Sequence, residues 1–520
     1  MEGISPVSKL KDAPALYERV QKLHSDRYEY EQNWKLNMAF YKGKQYSFYN
    51  EHSRQIESLP TNDGDKPRYR VRLVSNQIMP GVQSLLAKLT KTKPVMVATP
   101  GTGSDQDRKA AQMAQSLLEH WWGDLNMHDK LEEALLWAII AGQGYWRLSW
   151  DPYAGKQMRF LMDPNGQPIT DQSLQDTFRS RLNQMGIPAE ETAVYLGDVK
   201  VEVLSPFQVL LDPNPSTASE CMYAFCEHYL DPDEVFARWK KRVEPDAVPS
   251  EIDAQLKASN HPSAASPSLA TVWTGYFRPS AVVPNGRVVI FTKDQILSDE
   301  VWPYPFDTLP LVKFPGVRVP GQILDSSVVE QAIPIQKELN RTISQIVQHK
   351  NLSVKPRYWA PVNSIDTRIT DEPGAIYTYN PVAGLKPEAE RPPELASYIF
   401  PLLQDINARL RDAFYLTEVT EGSVPANVEA GIAIDLLQEM ATDRLAPTIQ
   451  LLESALADGG QMLLVLAQKY YIEPRLMKIQ GSGGSIQSRR FTQADLNANL
   501  SVSVEAGSAS AYTRGQAGAY

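Results

Sequence analysis

The chain has 520 residues, 42% of them hydrophobic and 22% charged, with a formal net charge of −9. That length exceeds one compact core and predicts two or three domains, while the composition excludes wholesale disorder. The acidic balance excludes a surface that clamps nucleic acid throughout. Two cysteines, Cys221 and Cys226, give no disulfide framework and point to a reducing compartment.

"MEGISPVSKLKDAPALYERV" is charged and lacks the apolar core of a secretory signal. Residues 13–42 predict one helix, ending at Gly43 in "AFYKGKQYSFY". An extended piece follows, then a helix over 79–89 and a strand, "PVMVATP". Asp105 or Asp107 starts the next helix, whose apolar face (Ala111, Ala114, Leu118, Trp122) has helical spacing. Another helix over 127–141 stops at the glycines of "AGQGYWRLSWDP", where the period switches to two. Its apolar run, "LEEALLWAIIAGQGYW", is too short to span a bilayer, so a soluble protein with no membrane partner is expected.

Residues 153–191 read as a hairpin or insertion, and "AVYLGDVKVEVLSPFQVLLDPNP" as strands. "DPDEVFARWKKRV" is a short capped helix, and 248–268 a linker or surface loop. "LATVWTGYFRP" is a strand, and "VVPNGRVVIFTKDQIL" a hairpin with Asn285-Gly286 at its tip.

Apolar residues at Val328, Ala332, Ile335, Leu339, Ile343 and Ile346 recur every three or four positions, so one helix face is buried. Pro334 suits a first turn better than an interior, which splits the segment into helices over 326–331 and 334–353, the second about 30 Å long. Short strand-like runs broken by Pro and Gly follow, and "ELASYIFPLLQDINARLRDAFYL" is helical again. The plain reading is a helix out, a small β-containing knob and a helix back. A polar loop then leads to a helical region over 427–471, kinked at Pro447 and interrupted at Gly459-Gly460, and "LSVSVEAGSAS" is a closing strand.

Catalytic signatures are missing. There is no phosphate-binding G-x-x-x-x-G-K-[ST], no H-E-x-x-H and no G-x-S-x-G; "YKGKQYS" lacks the preceding glycine and the following hydroxyl. Cys221, Cys226 and His228 match no common zinc spacing and read as buried strand residues. Glu132-Glu133 read as a solvated helix face, and Trp121-Trp122 as core or an interface between copies. Lys88 to Lys93, "KLTKTK", reads as a solvated helix end that could also meet phosphate. No metal, cofactor or catalytic residue is expected, and the chain reads as architecture rather than an enzyme.

With rod and knob in view, the chain resembles the portal proteins of tailed bacteriophages. The likeness lies in the order of "AFYKGKQY", "VSNQIMPGVQSLLAKLTKTKPVMVATP", "ALLWAIIAGQGYWRLSWD", "VLSPFQVLLDP" and "FPGVRVPGQILDSSVVEQAIPIQKELNRTISQIVQHKNL". The resemblance implies an α+β, mainly helical fold with wing, stem, clip and a small crown. It also implies a ring of twelve subunits at one capsid vertex, around a channel for double-stranded DNA.

On that resemblance, residues 1–324 are wing, 325–353 and 394–416 two antiparallel stem helices, and 354–393 the clip. The tunnel loop is 417–426, the long kinked helix 427–480, and 481–520 a strand with the start of the crown. Partners are then further copies of the chain, non-specific DNA, the terminase large subunit, adaptor and tail proteins and the major capsid protein. The ring, assembled in the host cytoplasm, serves packaging and later ejection from the virion.

Candidate channel residues are Arg341, Lys350, Lys355 and Arg357, with Glu418, Val419 and Glu421 in the tunnel loop. The four cations equally suit carboxylates of a neighbouring subunit. Clip candidates facing terminase or adaptor are Tyr358, Trp359, Asp366, Arg368, Asp371 and Glu372. Two other classes remain: a DNA-processing enzyme of the packaging apparatus, marked by metal-dependent nuclease or ATPase activity, and another head-connector component lacking the helix–knob–helix.

Overall fold

The computed structural model describes residues 11–50, 52–53, 55–58, 71–90, 94–155, 157–161, 177, 179–181, 191–195, 197–247, 268–354, 358–359, 388–389, 394–416, 444–471, 475–480, 486–491, 496 and 500–504. The first helical stretch is two helices, Ala13–Asp26 (α1) and Tyr28–Tyr41 (α2), where the periodicity predicts one. The break is Arg27, whose backbone leaves the helical region at φ −101°, ψ 8°. Its buried guanidinium donates to the carbonyl oxygens of Pro206 (3.0 Å), Phe207 (2.5 Å) and Val209 (2.6 Å), while Nε reaches Glu31 at 2.7 Å. These long-range bonds outweigh one more turn of helix, and local propensity carries no trace of them.

A hairpin of Ser47–Asn50 (β1) and Gln55–Ser58 (β2) leads towards Ile78–Thr90 (α3) and Met96–Pro100 (β3). Asp105–Asp124 (α4) starts at Asp105, one of the two predicted aspartates, and is capped by Ser104, whose Oγ accepts from the Asp107 N–H at 3.1 Å. Met127–Ala141 (α5) ends as predicted, with Gly142 in the left-handed region at φ +86°.

Gln143–Asp151 (β4) follows, then a hairpin of Gln157–Leu161 (β5) and Glu191–Tyr195 (β6), then Asp198–Leu204 (β7), Val209–Leu211 (β8) and Tyr223–Leu230 (β9). After Pro232–Trp239 (α6) come Ala270–Phe277 (β10), Arg287–Phe291 (β11), Ile296–Glu300 (β12) and Leu311–Pro315 (β13). The strand orders are β12-β11-β10-β9-β8 and β13-β4-β7.

Asn285-Gly286 is not the tip of a tight hairpin. β11 pairs back on β10 and then on β12, so the short turn is 292–295. Pro284, lacking an N–H, cannot enter a ladder. Instead Val283 to Gly286 form a turn closed by the Gly286 N–H on the Val283 oxygen at 3.0 Å, with Gly286 at φ +62°.

The predicted split at Pro334 is also absent: Val328–Val354 (α7) is one helix with Pro334 inside it. Val329, Ala332 and Ile333 are buried and Pro334 is exposed, so packing on one side holds the turn that the proline weakens on the other. Tyr358–Trp359 (β14) and Glu388–Ala389 (β15) pair antiparallel, and the chain returns in Ile399–Ala413 (α8). Pro401 sits in the first turn of α8, where its missing N–H costs nothing.

Ala446–Tyr470 (α9) starts with Pro447 in its first turn and runs unbroken through Gly459-Gly460. The glycines do not interrupt it. A Cβ on Gly460 would stand 2.9 Å from Met96 Sδ, and one on Gly459 would be 3.6 Å from Trp146, so the pair lets the helix lie close over two sheets. Residues 427–443 of the expected kinked helix lie outside the described residues.

Arg475–Gln480 (β16) pairs with Ile486–Phe491 (β17), and Leu500–Val504 (β18) with β3. The main core joins α3, α4, α5, α7, α8, α9 and β4, with Trp121, Trp122 and Trp146 inside. Among the described residues no helix is long and apolar enough to cross a membrane.

Candidate functional site

The segment that carries the site is α7, half sunk in the body and half free. Nine of its residues between Val328 and Ser344 are buried, and none from Gln345 to Val354 is. Its root is fixed by Ser327, whose Oγ donates to the Ile139 carbonyl at 2.9 Å and accepts from the Val329 N–H at 2.9 Å. α8 packs against it, with Ile406 and Leu410 sharing the main core with Leu339. Lys88, read as a solvated helix end, donates to the Tyr415 carbonyl at 3.1 Å just past α8.

A polar stripe at every fourth residue, Gln336, Asn340 and Ser344, holds the sunken half. Gln336 Nε2 donates to the Ser75 carbonyl (2.7 Å), and its Oε1 accepts from the Gln77 N–H (3.1 Å). Asn340 Oδ1 accepts from the Ser75 N–H (2.9 Å) and from Gln336 Nε2 (3.1 Å). Ser344 Oγ accepts from the Leu73 N–H (2.9 Å) and lies 3.2 Å from the Tyr46 hydroxyl. The extended segment 71–77 therefore hydrogen-bonds to side chains of a helix where another strand would ordinarily serve. Gln45 completes the network, with Nε2 on Asn76 Oδ1 at 2.8 Å. Apolar periodicity does not reveal these residues; the signal was an amide, an amide and a hydroxyl at a stride of four.

Of the predicted channel residues, Arg341 and Lys350 are described. Arg341 is 70% exposed and 3.8 Å from Glu338. Nine residues make two and a half turns, so Arg341 and Lys350 lie on opposite sides of α7. Lys350 continues the side of Leu339 and Ile343, whereas Arg341 lies across from it. Lys355, Arg357, Asp366, Arg368, Asp371, Glu372, Glu418, Val419 and Glu421 lie outside the described residues.

At the free end of the helix pair, large apolar side chains stand in solvent. Val354 and Trp359 are 71% exposed, Tyr398 68% and Phe400 56%. Tyr358, the other clip candidate, pairs with Ala389 through its backbone. Exposed apolar groups gathered at one end mark a contact surface rather than a solvated tip.

The other concentration of charge joins two sheets. Arg147 of β4 contacts His228 Nε2 of β9 at 2.6 Å and Glu202 of β7, and Lys200 meets Glu202 at 2.5 Å. Burial alone would raise the Glu202 carboxyl, but Arg147 and Lys200 hold it down at about 2. Burial, then Arg147, depresses His228 to about 3, so the ring is neutral and accepts from the guanidinium. Cys221 and Cys226 are buried thiols that burial pushes up to about 12. Among the described residues no three His, Cys, Asp or Glu groups gather to hold a metal.

Residues 281–509, which contain the helix pair, its tip and α9, match the family model described as Phage P22-like portal protein. No curated protein matches the chain.

Proposed function

From the match of residues 281–509 to the family model described as Phage P22-like portal protein, which supports a head–tail connector role at a capsid vertex, we propose that the chain assembles into a ring, of twelve copies by family likeness, through which duplex DNA is packaged and later ejected. The observation that carries the reading is the half-embedded α7, returning through α8, with exposed apolar side chains at the free end. A single copy leaves that end uncovered; closed heterologous contacts around an axis would bury it.

In this assembly 1–324 form the wing, α7 and α8 the stem, 354–393 the clip and 417–426 the tunnel loop. The remainder, 427–480 and 481–520, lies on the crown side. Terminase large subunit docks on the clip during packaging, adaptor and tail proteins dock there afterwards, and the major capsid protein surrounds the wing. Arg341, opposite the apolar side of α7, takes the axial or intersubunit position, whereas Lys350 lies towards α8. Contact with DNA is weak, non-specific and sensitive to salt.

The test is electron microscopy and native mass measurement of the purified full-length chain. A closed ring with an axial hole that admits duplex DNA is the expected result. A stable monomer, or a ring whose α7–α8 tips point away from any opening, overturns the reading.

A further inference from the structure

α9 and β13 bound a groove of about 410 Å³. Its floor is apolar, from Leu451, Ala455 and Met462 on one side and Leu311 and Val312 on the other. Leu451 to Val465 of α9 line it, a length of about 21 Å. Lys313 and Asp325, also in the groove, satisfy one another at 2.8 Å. Arg318 and Asp458 are exposed and have no ion-pair partner among the described residues. The groove presents one free cation and one free anion beside an apolar floor.

α6 carries the converse set. Val235 anchors it in a small core with Val272 and Leu297, and Phe236 stands outward at 43% exposure, with the Arg242 guanidinium 5.7 Å from its ring centroid. Asp233 is exposed in the first turn, and Lys240 is exposed at the C-cap. Neither has an ion-pair partner among the described residues, whereas Glu234 and Arg238 hold each other at 2.5 Å and Lys241 donates to the Ile296 carbonyl at 2.6 Å. Asp233, Phe236 and Lys240 follow one another at spacings of three and four, so a free acid, a ring and a free base share one face. The helix is about 12 Å long and fits within the groove's length.

Within one chain the two features stand at opposite ends of β9. Ser216 to Ser219, one wall of the groove, come just before that strand, and α6 follows Asp231 just after it. Its eight residues hold the ends about 24 Å apart. Val235 packs with Val272, whose strand partner is His228 near the far end, so α6 cannot turn back into its own groove. A match between opposite ends of one molecule joins copies head to tail.

We propose that the groove between α9 and β13 seats α6 of a second copy, with that copy's Phe236 on the apolar floor, its Lys240 at Asp458 and its Asp233 at Arg318. Acid and base at opposite ends of the helix fix one direction of seating. The proposal names one contact of the ring and rests on the portal reading.

Mixing full-length chains that carry Ala237→Cys with full-length chains that carry Ser454→Cys, under mild oxidation, tests it. Both positions are exposed, one beside Phe236 and one on the groove side of α9, while the native Cys221 and Cys226 are buried. Disulfides between the two variants are expected. Asp458→Lys should raise the concentration needed for half-assembly at least about tenfold. Adding Lys240→Asp should restore it, since Asp tolerates the left-handed backbone at that position (φ +56°).

Rings that form without the cross-variant disulfide, or that ignore Asp458→Lys, overturn the proposal and leave the portal reading standing. Chains that stay monomeric overturn both. An open filament carrying the disulfide supports this contact and overturns the closed ring.

Discussion

Asn340 Nδ2 lies 2.6 Å from Gln45 Oε1, joining side chains 295 residues apart inside the body. Asn340 also serves the Ser75 N–H and Gln336, so its removal strands several buried polar groups at once. Asn340→Ala is expected to cost about 3 kcal/mol and Ser344→Ala about 1 kcal/mol. Urea unfolding with unchanged m-values measures both; equal losses would show that the network is not centred on Asn340.

The adjacent glycines of α9 separate in sign. Gly459→Ala places its methyl at ordinary contact distance and gains helix propensity, so stability should stay level or rise by up to about 1 kcal/mol. Gly460→Ala drives a methyl to 2.9 Å from Met96 and 3.1 Å from Val502, and should destabilise by about 1–3 kcal/mol. Thermal unfolding of the two variants side by side decides it.

Acid should loosen the joint between the sheets in two stages. Folded His228 binds its proton only near pH 3, whereas the unfolded chain binds it near 6.5, so stability falls as pH drops through that window. Glu202, at about 2 when folded against 4.5 as its reference value, adds a further loss below pH 4.5. One proton corresponds to a slope of about 1.4 kcal/mol per pH unit. His228→Gln keeps an acceptor for Arg147 and should flatten denaturation midpoints between pH 6.5 and 4.5, leaving the steeper loss below.

Arg341 and Lys350, half a turn apart in phase, should differ towards DNA. In assembled rings Arg341→Ala is expected to reduce the slope of log Kobs against log salt for duplex DNA, and Lys350→Ala to leave it alone. Equal effects from both would mean that α7 twists or bends beyond its described course.

The sequence was readable where one face repeats. α5 was bounded correctly because its apolar spacing and closing glycine agree. It misled where the deciding partner is distant: Arg27 ends α1 through carbonyls some 180 residues away. Local rules also failed where packing outweighed them, as at Pro334 and at Gly459-Gly460. Asn285-Gly286 marked a turn correctly, but not which strands the turn connects. The candidate cations were found by charge, which carries no phase, and only the helix geometry separates Arg341 from Lys350. The polar stripe leaves no mark in the apolar periodicity of α7.

Four residues of helix advance about 6.0 Å, and two residues of extended chain about 6.4–6.8 Å. The stripe of α7 therefore falls out of step with segment 71–77 by roughly half an ångström at each rung. Three rungs, at Gln336, Asn340 and Ser344, absorb the drift. The fourth residue in stride, Gln348, finds no hydrogen-bond partner among the described residues, and no residue of the helix beyond it is buried. Two incommensurate repeats thus act as a ruler, measuring how much of the rod stays rooted and how much is left to project.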